Sequence, residues 1–142
     1  MRFDFEIDCK IATDESEYIC DLYAKSSLAQ KEFGKKSLAT INFEKDEDTL
    51  NLLHKKYGIN PSKTIILNIV QKHANIGNIA NMLICSLIQK FDKKIENIYL
   101  YALNDKLVKF YTKLGFETIE GYSMIGKISN LTKHCISIVP IR

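Results

Sequence analysis

The run TIILNIV, residues 64–70, sets the tightest limit on the fold. It is dense in β-branched residues and breaks its apolar character only at Asn68, so it predicts a strand buried on both faces. Such a strand needs cover on each side. IANMLICSLIQKF (79–91) predicts one covering helix, with Ile79, Leu83, Leu87 and Phe91 in one row and Ala80, Ile84 and Ile88 beside it. NIYLYAL (97–103) predicts the next strand. NDKLVKFYTKLGFE (104–117) predicts a second helix over roughly 105–114, opened by a turn pair and closed at Gly115. Two further strands are expected in ETIEGYSMIGKI and KHCISIVPI. This order predicts an α/β (α+β) fold, a mixed sheet with helices laid over it.

The first half carries weaker patterns. FDFEID alternates and predicts a first strand with Phe3, Phe5 and Ile7 on one face. Thr13 or Asp14 is placed to cap a helix whose apolar positions would be Ile19, Leu22, Tyr23 and Leu28. LATINF (38–43) predicts a short strand. DEDTLNLLHKKYG predicts a helix, with acids at its start, lysines near its end and Gly58 as its stop. With 142 residues and no repeat or linker, the expectation is one domain over 1–142.

No apolar run approaches the ~20 residues of a membrane-spanning helix. The N-terminal MRFDFEIDCK has acids where a secretion signal would be apolar, so a cytoplasmic location is expected. Cys9, Cys20, Cys85 and Cys135 form no CxxC pair, and in that setting thiols are expected rather than disulfides. His134 and Cys135, adjacent on an expected strand, would point to opposite faces, and no metal site is expected. Charge divides unevenly. Residues 1–62 hold 9 Lys/Arg against 12 Asp/Glu, and residues 63–142 hold 11 against 5. A basic half suits an anionic ligand and an acidic half a cationic one, although solvated faces would show the same division.

The loop after the buried strand, QKHANIGN, leads into an apolar helix. A helix N-terminus offers unpaired N–H groups and a positive dipole end, and a glycine lets an anion approach closely. Here Asn75 and Asn78 flank Ile76 and Gly77, and Lys72 adds a charge. An ordinary strand-to-helix turn with an Asn cap reads the same way.

Taken together, K-H-A-N-I-G (72–77) and N-D-K-L-V-K-F-Y-T-K-L-G-F (104–116) resemble the GNAT family of acetyl-CoA-dependent N-acetyltransferases. The first is a partial match to the family's [Q/R]-x-x-G-x-[G/A] pyrophosphate loop, with Gly77 in place, Lys72 for Gln or Arg, and Asn75 for the first Gly. The second matches N-x-x-A-x-x-[L/F]-Y-x-x-x-G-F at Asn104, Phe110, Tyr111, Gly115 and Phe116, with Leu107 where Ala is usual. The match spans roughly residues 64–139, and no family motif is placed in the first 60 residues.

The resemblance implies a GNAT-like mixed, splayed central sheet flanked by helices. It implies acetyl-CoA as cosubstrate without a metal, and direct attack by a primary amine of a small molecule or peptide. Ile69, Val70, Lys72, Asn75, Ile76, Gly77, Asn78, Asn104 and Phe110 would bind the cofactor. Tyr111 would be the general acid, donating to the leaving thiolate. By periodicity alone Leu107, Phe110, Tyr111 and Leu114 form a core stripe, and Asn104 reads equally as a helix cap. TIILNIV carries no carboxylate, so the base falls to His73 beyond the strand or to Glu44, Asp46 or Glu47. Two rival functions follow: a non-catalytic acyl-CoA-binding or protein-interaction domain on the same fold, and a toxin-like acetyltransferase of aminoacyl-tRNA. Nucleic acid is otherwise not the expected partner, nor is a membrane, and a homodimer is compatible with the reading.

Overall fold

The computed structural model of the chain describes residues 5–11, 17–73, 81, 83–85, 87–88 and 95–134. The segment read as a buried strand is strand β4 (Thr64–Lys72), buried over Thr64–Leu67 and exposed at Asn68, and it is the middle one of seven paired strands among the described residues. On one side β1 (Phe5–Ile11), β2 (Glu17–Ala24), β3 (Ala39–Glu44) and β4 form an antiparallel meander. On the other, β5 (Asn97–Tyr101) pairs β4 in parallel, and β7 (Ser123–Lys127) joins β5 to β6 (Glu117–Glu120). The strand order is β1-β2-β3-β4-β5-β7-β6.

Four helices complete the labelled elements: α1 (Ser27–Phe33), α2 (Glu47–Tyr57), α3 (Asp105–Leu114) and α4 (Ile128–His134). Residues 81–88 are helical wherever they are described. One face of the sheet carries the main core. Leu22, Ile41, Phe43, Ile65 and Ile98 pack there with Leu83, Ile84 and Leu87, with Tyr111 and Leu114 of α3, and with Leu131 of α4. The opposite face is covered mainly by α2, whose Leu50 and Leu53 pack on Ile66, Tyr99 and Ile119. α2 ends as its sequence indicates, with Gly58 left-handed at φ 71°.

Three expectations are corrected. The helix expected from Thr13 or Asp14 through Ile19, Leu22, Tyr23 and Leu28 is instead strand β2 followed by the short helix α1. Its apolar residues fit helical spacing, but Cys20, Leu22 and Ala24 also alternate, and pairing with β1 and β3 on both sides selects the strand. ETIEGYSMIGKI is a hairpin, β6 and β7, turning at Gly121 (φ 55°). Finally, Cys9 and Cys20 face each other across β1 and β2 and are joined by a disulfide, and Cys85 is also disulfide-bonded. Spacing in sequence carries no register, which is why the pair was not foreseen. KHCISIVPI begins in α4 and otherwise lies outside the described residues.

Candidate active site

β4 and β5 begin together and then part. Thr64 is fully buried, its hydroxyl donating to Asn60 O (2.7 Å) and accepting from Asn97 Nδ2 (3.3 Å). The parallel register runs from Thr64↔Asn97 to Leu67↔Leu100 and stops. β4 continues to Lys72 paired with β3, whereas β5 ends at Tyr101 and turns into α3. Between the diverging strands, the β5-facing backbone of residues 68–72 has no strand partner among the described residues. At the point of divergence β4 is bulged: Phe43 pairs with Leu67 and Asn42 with Ile69, which leaves Asn68 as the extra residue.

The gap opens on both faces of the sheet. On the main-core side lies a cleft of about 390 Å³, walled by Leu67, Val70, Leu100 and Ala102 of the strands and by Leu107, Phe110 and Tyr111 of α3, with Lys72 at one end. On the α2 side a second cleft, of about 440 Å³, is lined by Glu44, Thr49, Ile66 and Tyr99. Leu67, Asn68, Tyr101 and Leu103 line both, so they form the boundary between them. Tyr101 and Leu103 are 61% and 81% exposed, an unusual surplus of apolar surface at a cleft mouth.

α3 is held at both ends. Asn104 Oδ1 accepts the Leu107 N–H at 2.9 Å, and Gly115 closes the helix in a left-handed conformation with φ 107°. Between them Tyr111 is 8% exposed, its ring edge-on to Phe110 (5.1 Å) and Phe116 (5.4 Å). Burial pushes its phenol above the ordinary value of 10.0, so the hydroxyl remains a proton donor throughout the neutral range. Tyr111 is therefore both a core aromatic and a cleft wall.

The structure thus brings Val70, Lys72, Phe110 and Tyr111 to one cleft. Asn104 serves as the helix cap and does not line it. Ile69 is on β4 opposite Asn42. His73 lies outside both clefts, its N–H bonded to Leu38 O (2.9 Å) and its Nε2 to Thr40 Oγ1 (2.7 Å). Asn75, Ile76, Gly77 and Asn78 lie outside the described residues. Of the acids, Glu44 reaches the second cleft. Asn68 was passed over, although its break in the apolar run of residues 65–70 was the signal for it. Among the described residues no three His, Cys, Asp or Glu side chains converge as for a metal ion, and no helix is long and apolar enough to cross a membrane.

The sequence matches no protein-family model and no curated protein. Comparison with solved structures does find the same architecture. An assigned acetyltransferase from Exiguobacterium sp. 255-15 superposes with a TM-score of 0.56 over 92% of this chain and 97% of its own, at 13% identity. The fold is GNAT-like. AtaT complexed with acetyl-methionyl-tRNAfMet matches at TM-score 0.55 and 12% identity, over 89% of this chain and 96% of its own. AtaTR bound with AcCoA matches at 0.53 and 12% identity, over 83% and 74%. At these identities the likeness to GNAT structures establishes the fold, with its parted central strands.

Proposed function

We propose that the protein is an N-acetyltransferase moving acetyl from acetyl-CoA to an amine, with donor and acceptor entering the parted sheet from opposite faces. The observation that carries this reading is the shared boundary at Asn68, where a cleft walled by a buried tyrosine adjoins a cleft lined by a carboxylate. The main-core cleft has the features a thioester with a peptide-like arm requires. Its apolar walls shield the arm, and the backbone of residues 68–72 can hydrogen-bond the arm's amides as an added strand. Lys72 supplies charge toward phosphates, and the loop 75–78 is the expected pyrophosphate site.

In this reading Glu44 takes a proton from the incoming amine, directly or through water. Asn68 hydrogen-bonds the thioester carbonyl as charge builds on its oxygen. The N–C bond forms, the C–S bond breaks, and Tyr111 donates its hydroxyl proton to the departing sulfur, regaining one from solvent. Since Tyr111 holds its proton more tightly than an ordinary phenol, its contribution is greatest as a hydrogen-bond donor while negative charge accumulates on sulfur.

The test is a calorimetric titration with acetyl-CoA, using coenzyme A and acetate as controls, followed by an amine screen with the same sample. Micromolar binding at one site per chain with turnover supports the proposal. Binding without turnover on any amine favours a non-catalytic acyl-CoA-binding domain, and no binding by folded protein refutes both. A second reading, acetylation of aminoacyl-tRNA, draws on the likeness to AtaT. Release of labelled N-acetyl-amino acid when charged tRNA is incubated with labelled acetyl-CoA and its ester then hydrolysed would select it.

A further inference from the structure

Of the large hydrophobic side chains exposed among the described residues, Leu103 and Tyr101 are the most exposed, and both line the second cleft. One exposed leucine on a protein surface is ordinary, but two such side chains at the mouth of one cleft form a patch that asks for a partner. Their place in the chain gives them little to do for the fold. Tyr101 ends β5 and meets Tyr122 edge-on at 6.2 Å, and Leu103 stands between that strand and the Asn104 cap of α3. Leu103 buries too little of itself to add much stability.

The rest of the cleft is equally short of free polar groups. Ile66 and Leu67 are buried behind the mouth. Tyr99 also lines it, with its hydroxyl bonded to Ser123 Oγ (2.9 Å). Thr49 Oγ1 is committed as well, donating to Asp46 Oδ2 (2.6 Å). No Lys, Arg or His is among the lining residues, and Glu44 is the one carboxylate. The complement of such a cleft is a single positive charge on an otherwise apolar molecule. A second ammonium would lose its hydration against apolar walls with no acid to meet it, and an anion would find Glu44 with no cation beside it.

We infer that the acceptor is a primary amine with one positive charge and an uncharged apolar body, its nitrogen at Glu44 and Asn68 and its body against Tyr99, Tyr101 and Leu103. This rests on the acyltransfer reading and names its substrate class. A cleft of about 440 Å³ has room for a short alkyl chain or a ring. Glu44 takes the ammonium proton and passes it to solvent, the N–C bond forms as the C–S bond breaks, and the products are a neutral amide and the thiol of coenzyme A. Acetylation thus erases the charge that Glu44 held, and the product is left bound by its apolar body alone. Leu103 becomes a specificity-determining residue.

The experiment compares ethylamine, 1-aminohexane and 1,6-diaminohexane as acceptors at one acetyl-CoA concentration. Ethylamine and 1-aminohexane have nearly the same basicity and differ in apolar length, and the diamine adds the second charge. Wild type should prefer 1-aminohexane over ethylamine in kcat/KM by about tenfold or more, as the extra methylenes leave water, and should prefer it over the diamine. Leu103→Ser, at a position so exposed that the variant should melt as wild type does, should cut the first preference about threefold. Leu103→Glu should move the second toward the diamine by about threefold. Each readout is a ratio of acceptors, so an effect of Leu103 on the shared donor cancels. Equal use of ethylamine and 1-aminohexane, a preference for the diamine, or ratios that neither variant changes would overturn the inference while leaving acyltransfer standing. Turnover of charged tRNA alone would overturn it too. Ligand-observed NMR with 1-aminohexane separates the remaining case. Binding that Leu103→Ser weakens, in a protein that acetylates no amine, would keep the apolar amine site and remove the acyltransfer reading.

Discussion

Gly126 lies on β7, and its substitution by alanine tests how the core supports the cleft. A Cβ built there would meet Cδ1 and Cε1 of Phe116 at 2.7 Å each and Cδ1 of Leu131 at 2.9 Å. Ordinary contact begins near 3.4 Å, so the Phe116 ring must retreat by roughly 0.7 Å. Neither neighbour has room to yield, since Phe116 is 2% and Leu131 0% exposed. Overpacking of this kind costs about 1–3 kcal/mol. With a urea slope of ~2 kcal/mol/M, the unfolding midpoint should fall by about 1 M at an unchanged slope. Phe116 also packs on Tyr111 with ring centroids 5.4 Å apart, so the displacement reaches the wall of the main-core cleft. Acetyl-CoA affinity or kcat should drop along with stability. Adding Phe116→Leu to Gly126→Ala should recover part of the loss, making the double variant more stable than the sum of the single effects predicts. A Gly126→Ala protein within about 0.5 kcal/mol of wild type would refute the packing argument.

Four further outcomes are expected. Tyr111→Phe should lower kcat by ~10²-fold with little change in acetyl-CoA affinity. It should also remove a component of alkaline unfolding: because burial raises the folded-state value above 10.0, wild-type stability is intact below that pH and declines above it as the unfolded chain ionises first, a slope visible in pH-dependent melts. Glu44→Gln should reduce turnover by ~10² or more while leaving the affinity for acetyl-CoA unchanged in calorimetry. Asn104→Ala removes the Oδ1 cap from Leu107 N–H, and urea titration should show a loss of about 1 kcal/mol.

Where local pattern and tertiary demand agree, the sequence is readable. TIILNIV and the helix ending at Gly115 appear where their residues indicate, because burial on two faces and a left-handed exit are local requirements. β2 was misread because Ile19, Leu22 and Tyr23 satisfy helical spacing while Cys20, Leu22 and Ala24 satisfy alternation, and only the neighbouring strands decide between them. The candidate site was half visible. Tyr111 and Phe110 follow from a contiguous motif, but Glu44 and Asn68 come to line one cleft through β3–β4 pairing and a bulge, neither of which has a contiguous signature. His73 shows the reverse case: it stands next to the buried strand in sequence, yet its ring is engaged by Thr40 from a strand more than thirty residues away.

Among the described strands, the four parallel rungs from Thr64↔Asn97 to Leu67↔Leu100 are the seam that joins the β1–β4 meander to the β5–β7–β6 unit. Hydrogen–deuterium exchange should therefore divide β4 along its length. Amides in the seam are locked by neighbours on both sides and should exchange slowly under all conditions. From Asn68 onward, alternate amides face the gap and should exchange quickly in the free protein. A bound ligand that completes the ladder would slow them to the pace of the seam. Occupancy, and the half of the strand it protects, would then be recorded peptide by peptide with no turnover at all.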